Sequence, residues 1–413
     1  MDWNARRWRR SAHRLRQYVQ PLVESLGRRE RRVAALQYVN GLLLPGHRKS
    51  VEPMASRLGV DVQRLQQFLT DSPWDENAIW SGLRRDVLPV LGIPEYWVVD
   101  ETGWVKQGTH SVGVQHQYCG AVGKQANCQV CVQLVVTDGY AALPVAGRLY
   151  LPQSWCDDAA RLRAARVPLD VRFQTKPEIA LELIRQTLSE GIVTPAPVLG
   201  DSVYGDNPAF RAGLRGLGLE YALHVGGRQL AWRVPPPDRS DDTPPETLTH
   251  VAHAVAPASW RTAHWKDTQG RPHQTRLAWM PVWLKTEPGT DAPAQWLIVD
   301  WPEQHDEPHH VILAHLNKAP SKARALALSR SRWPIEQHFQ RIKDELGFDH
   351  LEARSWRAFH HHLALTALAY SFIVTERVGA QKNFTICLDL GADAPRDPDL
   401  AAEATRLLSL LPT

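Results

Sequence analysis

Residues 96–225 run through three short strand-like segments and then a strand, helix, strand succession, and that order constrains the fold more than any other feature. Segment 96–100 is a short apolar run, and segments 111–118 and 127–137 alternate with period two, which puts successive side chains on opposite faces of a sheet. The Gly- and Ala-rich turns between them suit antiparallel neighbours. Residues 142–170 read as irregular. A helix is predicted over 176–189 with Pro177 in its first turn, followed by a buried strand over 197–201 that ends in Asp201. A helix over 207–217 and a strand over 221–225 complete the run, and a crossover of this kind adds parallel strands. The fold class is therefore α/β with a mixed sheet.

The flanking regions differ in character. Residues 1–90 read as helical. Segments 50–59 and 60–69 form two short helices joined at Gly59, a helix-turn-helix spacing in which Gln63, Arg64, Gln66 and Gln67 can face a groove. Residues 226–319 carry Pro-rich loops and strand-like stretches with Trp260, Trp265, Trp279, Trp283, Trp296 and Trp301, read as a β-rich insertion with the tryptophans in its core. A helix over 322–330 precedes one over 334–346, which Pro334 opens and Gly347 stops. Ile335, Phe339, Ile342 and Leu346 form its buried stripe, with Glu336, Gln340 and Lys343 on the border and Arg332 just ahead of it. A last helix covers 356–376. The expected units are a helical, basic region (1–92), the first part of an α/β core (93–225), the insertion (226–319), the last part of the core (320–378) and a partly mobile tail (379–413).

Charge points to a polymer partner. The net charge of the 413 residues is +4, yet residues 1–50 hold twelve Arg and Lys against three acids, so the remainder is acidic. Arg6, Arg7, Arg9, Arg10, Arg28, Arg29, Arg31 and Arg32 belong to this basic head, which suits an anionic partner, nucleic acid first and an anionic membrane surface second. The start of the chain lacks an apolar signal run, and the longest apolar run, 363–374, is too short to span a bilayer. A cytoplasmic, nucleoid-associated protein without a membrane partner is expected. Five scattered cysteines do not form a disulfide framework, and Cys128-Gln-Val-Cys131 lacks the second ligand pair of a zinc site. His309, His310 and His360 to His362 lack ligand spacing and read as surface or helix-face residues.

Three acids share one kind of position. Asp100 ends the first strand, Asp201 ends a later one, and Glu336 opens a helix, each on a rigid element and free to converge. Hard divalent cations take oxygen ligands, and two such ions about 4 Å apart can activate a water or 3′-hydroxyl and stabilise the departing oxygen in phosphoryl transfer. Asp100 after Trp-Val-Val, Gly200-Asp-Ser-Val-Tyr-Gly205 and Arg332-x3-Glu336-x6-Lys343 together resemble the DDE transposases of bacterial insertion sequences, within the group bearing a Tyr-x2-Arg-x3-Glu-x6-Lys signature. Segment 41–55, Asp71-Ser-Pro-Trp-Asp75, Phe173-x-Thr-Lys-Pro177 and segment 345–356 resemble that group too, so the likeness spans about residues 35–376.

The resemblance implies a ribonuclease H-like catalytic core interrupted by a β-rich insertion before the third acid. It implies Mg²⁺, or Mn²⁺ in its place, held by Asp100, Asp201 and Glu336. Arg332 and Lys343 would grip DNA phosphate, and the protein would act on double-stranded DNA as a homodimer that cuts element ends and transfers 3′-hydroxyls. Position 329 departs from the signature, with Ser where it has Tyr, and Tyr204 is the candidate substitute. Glu101 falls on the opposite face of its strand and reads as structural. The alternative function is a catalytically silent DNA-binding regulator derived from a transposase, and an acid-pair glycoside hydrolase is a third reading to which the basic head is surplus.

Overall fold

The computed structural model describes residues 5–235, 242–266, 271–285 and 293–389, and of 5–12 and 380–389 the backbone alone. The side chains of Arg6, Arg7, Arg9 and Arg10 thus lie outside the described residues, as does the tail after residue 389. Helices α1 (Ala5–Leu22), α2 (Arg29–Leu43), α3 (Val51–Leu58), α4 (Val62–Thr70) and α5 (Asn77–Gly82) come first. Gly59 closes α3 in the left-handed conformation, φ 63°, and Asp61 caps α4 by accepting the Arg64 amide. The predicted helix pair is present, with Gln63, Arg64, Gln66 and Gln67 exposed.

The central sheet follows. It is built from β1 (Tyr96–Val105), β2 (Gln115–Cys119), β3 (Lys124–Thr137) and β4 (Ala142–Leu149). After the short helices α6 (Gln153–Cys156) and α7 (Ala159–Ala164) come α8 (Lys176–Ser189), β5 (Val198–Gly200), α9 (Ser202–Gly205), α10 (Pro208–Gly216) and β6 (Tyr221–His224). Helix α8 has the predicted bounds because its start is heavily specified. Thr175 and Glu178 form a capping box around Pro177, and Ile179, Ala180, Leu183 and Ile184 are buried.

Two expectations change here. Residues 142–149, read as irregular, are a strand, because Pro144 and Gly147 break the alternation that would have marked it while a shift of register at Leu134/Val135 accommodates them. Strand β1 does not stop at Asp100 but continues to Val105, since β3 supplies partners as far as Cys128. Asp100 is therefore mid-strand. It sits where the other neighbour gives out, because β5 pairs with β1 only at Trp97 and Val98.

Strands β4, β3 and β1 are mutually antiparallel neighbours in that order, and β5 and then β6 join parallel to β1. Residues 226–319 supply β7 (Leu230–Trp232), β8 (Glu246–Thr247), α11 (Leu248–His253), β9 (Arg261–Lys266), β10 (Pro272–Leu284), β11 (Gln295–Trp301) and β12 (His310–His315). Strand β12 pairs with β6, so one sheet runs on through β6, β12, β11 and β10. A second small core of Val225, Leu248, Val251, Val282, Leu297 and Leu313 packs under it. The six tryptophans do not fill this core; all are half-buried, with Trp260 and Trp301 packed against it and Trp279 and Trp296 against the main core.

Helices α12 (Lys322–Arg330), α13 (Trp333–Asp344) and α14 (Trp356–Asp389) close the fold. The α13 stripe of Ile335, Phe339 and Ile342, extended by Leu346, is buried as predicted. Helix α14 outruns its expected end at 376. It is apolar on every side and buried from Phe359 to Tyr370, so His360, His361 and His362 are core residues and not surface ones. Their ring nitrogens find partners inside. His360 Nδ1 lies 2.9 Å from Trp356 O, His361 sits between Leu69 O and Trp74 O, and His362 joins Tyr38 Oη to Phe348 O at 2.8 and 3.0 Å. These contacts pin the N-terminal helices to the core. Among the described residues no helix is long and apolar enough to cross a membrane.

Candidate active site

The site begins at the gap in the sheet where β5 ends beside β1. Asp201 follows β5 directly and caps α9, its Oδ1 accepting the Val203 amide at 2.9 Å. Gly205 lets this short helix press against β6, since a Cβ there would run into the His224 carbonyl. Asp100 projects from β1 toward α13. Its Oδ1 takes the Glu101 amide at 2.8 Å and its Oδ2 lies 2.6 Å from Arg332 Nη1. Glu101 projects the other way, as strand alternation requires, and meets Lys176 Nζ at 2.6 Å and Tyr204 Oη at 2.9 Å.

Despite their opposite faces, ligand oxygens of Asp100, Glu101 and Asp201 all lie within 4.8 Å of one another. Burial lifts the Asp100 carboxyl well above the ordinary range; Arg332 draws it down, and the charges of Asp201 and Glu101 push it up. Burial likewise raises Asp201, and Glu101 adds to the effect. Three buried or half-buried carboxylates in such proximity, set against the Arg332 guanidinium and the Lys176 ammonium, form a hard oxygen donor set still one positive charge short. That donor set fits a divalent cation.

The other expected residues fall around it. Arg332 precedes α13 and also bonds Glu336 through Nη2, so a single guanidinium joins Asp100 to Glu336. Glu336 is thus at the site, reached through Arg332 and outside the three-carboxylate group. Lys343 is turned inward: its half-buried Nζ donates to Gly103 O of β1 at 2.9 Å, and burial lowers its pKa. Arg28 and Arg29 are exposed on the N-terminal helices, whereas Arg31 and Arg32 are half-buried, with Arg31 reaching Leu26 O at 3.4 Å. Ser329 is buried and does not face the site. Tyr204 cannot replace the missing tyrosine, because it too is buried and gives its hydroxyl to Glu101.

Sequence reasoning passed over Glu101 and its partner Lys176. The signal was present: an acid adjoining Asp100, and a lysine inside Phe173-x-Thr-Lys-Pro177. Cys128 and Cys131 belong to separate packing clusters on β3.

Residues 21–280 match the family described as DDE superfamily endonuclease. The chain belongs to that family. The matched span contains Asp100, Glu101 and Asp201 and stops short of Arg332 and Glu336. A similar protein is the "Probable transposase for insertion sequence element IS701" of Microchaete diplosiphon, 33% identical over 195 residues, which are 46% of this chain and 48% of that one. The chain thus spans about half the length of this curated relative. With that membership go a mixed α/β sheet and a cluster of acidic groups that could hold a metal ion.

Proposed function

We propose that the protein is the transposase of an insertion sequence, which binds terminal inverted repeats, cleaves the DNA at the element ends and transfers the 3′-hydroxyl ends into target DNA. One observation carries this reading: the Asp100, Glu101 and Asp201 oxygens lie within 4.8 Å of one another on the side of the sheet that Arg332 and Glu336 also reach. Membership of the endonuclease family and the likeness to an insertion-sequence transposase support it. The order β4, β3, β1, β5, β6, three antiparallel strands and then two parallel ones, supports a ribonuclease H-like core over 93–225 and 320–378. In this reading 226–319 is the insertion, and 1–92, with the exposed face of α4 and the Arg28 and Arg29 side chains, is the DNA-binding region.

Asp100 and Asp201 would hold the cation, Mg²⁺ or Mn²⁺, with Glu101 or Glu336 as the further carboxylate. The cation would supply charge neutralisation and polarise a phosphate oxygen. The chain's own residues do the rest. Lys176 and Tyr204 fix Glu101, the α9 cap fixes Asp201, and Arg332, the guanidinium nearest the acids, offers its planar fork to a phosphate once DNA competes for it. Two ends must be brought together for transfer, so the active form is a homodimer on double-stranded DNA.

The test uses a supercoiled plasmid carrying the DNA that flanks this gene. Asp100→Asn, Asp201→Asn and Glu336→Gln should each bind that DNA like the wild type and fail to nick it in Mg²⁺. Nicking that persists in all three variants would reject the site, and binding without nicking by the wild type would favour the silent regulator.

A further inference from the structure

A second carboxylate lies along the same side of the sheet. Asp300 on β11 pairs in register with His310 on β12, and His224, one strand further on, pairs with Ile312, so strand parity places Asp300, His310 and His224 on one face. Asp100 shares that face by the parallel pairing of β1, β5 and β6. Asp300 has no solvent exposure. It accepts from Thr275 Oγ1 at 2.5 Å and from Ser329 Oγ, and Arg330 Nη2 lies 2.7 Å from its Oδ2. The Arg330 guanidinium is in turn held 4.2 Å from the Trp265 ring centroid.

Histidines 309 and 310 come close enough to Asp300 to suggest a second cation site. The carboxylate is already committed to two hydroxyls and a guanidinium, which makes it an anchor. What it anchors is the end of α12. Two positions later Arg332 sits between Asp100 and Glu336, and two residues of chain span at most about 7 Å. The turn from α12 to α13 is therefore clipped at each end by an arginine on a buried aspartate: Arg330 on Asp300 and Arg332 on Asp100. Ser329, the departure from the signature, is one of the donors that make the first clip.

We propose that Asp300 is a positioning residue for the acidic centre: by holding Ser329 and Arg330 it keeps Arg332 seated on Asp100 and Glu336. This rests on the reading that the acids bind a divalent cation. In the absence of DNA the seated guanidinium competes with a cation for Asp100. Loosening the anchor should then strengthen cation binding, whereas general damage to the site would weaken it.

Mn²⁺ binding to the full chain without DNA, followed by calorimetry and electron paramagnetic resonance, tests this in wild type, Asp300→Asn, Arg332→Ala and the double variant, with Asp201→Asn marking the acidic site. Asp300→Asn should raise Mn²⁺ affinity about three- to tenfold, Arg332→Ala at least as much, and the double variant no more than Arg332→Ala alone. Ser329→Ala, which leaves the Asp300–Arg330 pair intact, should give a smaller rise of the same sign and serves if Asp300→Asn does not fold. Unchanged or weaker binding in Asp300→Asn and Ser329→Ala, or multiplicative effects in the double variant, would overturn the proposal. Wild-type protein that binds no Mn²⁺, or binds it equally well as Asp201→Asn, would instead overturn the cation reading itself and take the proposal with it.

Discussion

Arg332 Nη1 lies 2.6 Å from Asp100 Oδ2 although 232 positions separate the two residues. The pair leaves the acidic cluster short of positive charge, since Asp201 and Glu101 face the same space. A divalent cation should therefore stabilise the fold, by about 2.7 kcal/mol at a hundredfold excess over its dissociation constant. Because burial and neighbouring carboxylates hold the Asp100 and Asp201 carboxyls above their ordinary values, protons compete with the cation, and affinity should rise as pH climbs beyond the ordinary carboxylate range. Calorimetric titration of Mn²⁺ from that range upward checks both points; affinity indifferent to pH would count against these carboxylates as ligands.

The same raised values fix the sign of a mutational effect. A carboxyl whose folded pKa exceeds its unfolded one makes the folded state less stable as pH rises from the unfolded value toward the folded one. Asp201→Asn removes that penalty and keeps an oxygen that can cap α9 through the Val203 amide. In EDTA at pH 8 the variant should melt above wild type, and the gain should vanish as pH falls to the ordinary carboxylate range. A lower melting temperature at pH 8 would show that Asp201 is stabilising in its charged form.

Glu101 tests the far side of the cluster. Its carboxylate satisfies both the Lys176 ammonium and the Tyr204 hydroxyl, whose side chains are mostly buried. Glu101→Ala leaves both without a partner and should cost about 2–4 kcal/mol, while Glu101→Gln, which retains one acceptor, should cost about half as much. Urea unfolding of the two variants measures the difference; equal losses would mean that shape and not hydrogen bonding is what the position supplies.

What could be read in advance follows from how local each cause is. Helix α8 was legible to the residue because its cap, its proline and its apolar stripe all lie within fourteen positions. Strand β5 was legible because buried parallel strands are short apolar runs, and Asp201 came with it. Strand β4 was not, since Pro144 and Gly147 mask the alternation. Glu101 was set aside on a correct premise, that neighbours on a strand face apart, which fails to exclude contact at a strand whose edge has lost its partner: there a longer side chain can reach round. Lys343 was placed on the border of its helix stripe, yet the Gly103 carbonyl that turns it inward is 240 residues away. His361 and His362 of α14 were misjudged for the same reason, because their partners at Leu69, Trp74 and Phe348 are invisible from the helix itself.

Those histidines give the last prediction. Burial pushes the His360 and His362 rings down to about 4, from an ordinary value near 6.5. The unfolded chain therefore binds more protons than the folded one between these values, so stability is complete above about pH 6.5 and is lost as pH falls toward 4. His362→Gln offers Tyr38 an acceptor and Phe348 a donor without titrating. At pH 8 it should match wild type to within about 1 kcal/mol, and between pH 6.5 and 4.5 its unfolding free energy should fall less steeply, by about 1.4 kcal/mol per pH unit for the one proton removed. Urea unfolding at several pH values reads that slope directly. An unchanged slope would mean that His362 is already charged in the folded core, its Nδ1 then donating to Tyr38 Oη instead of accepting from it.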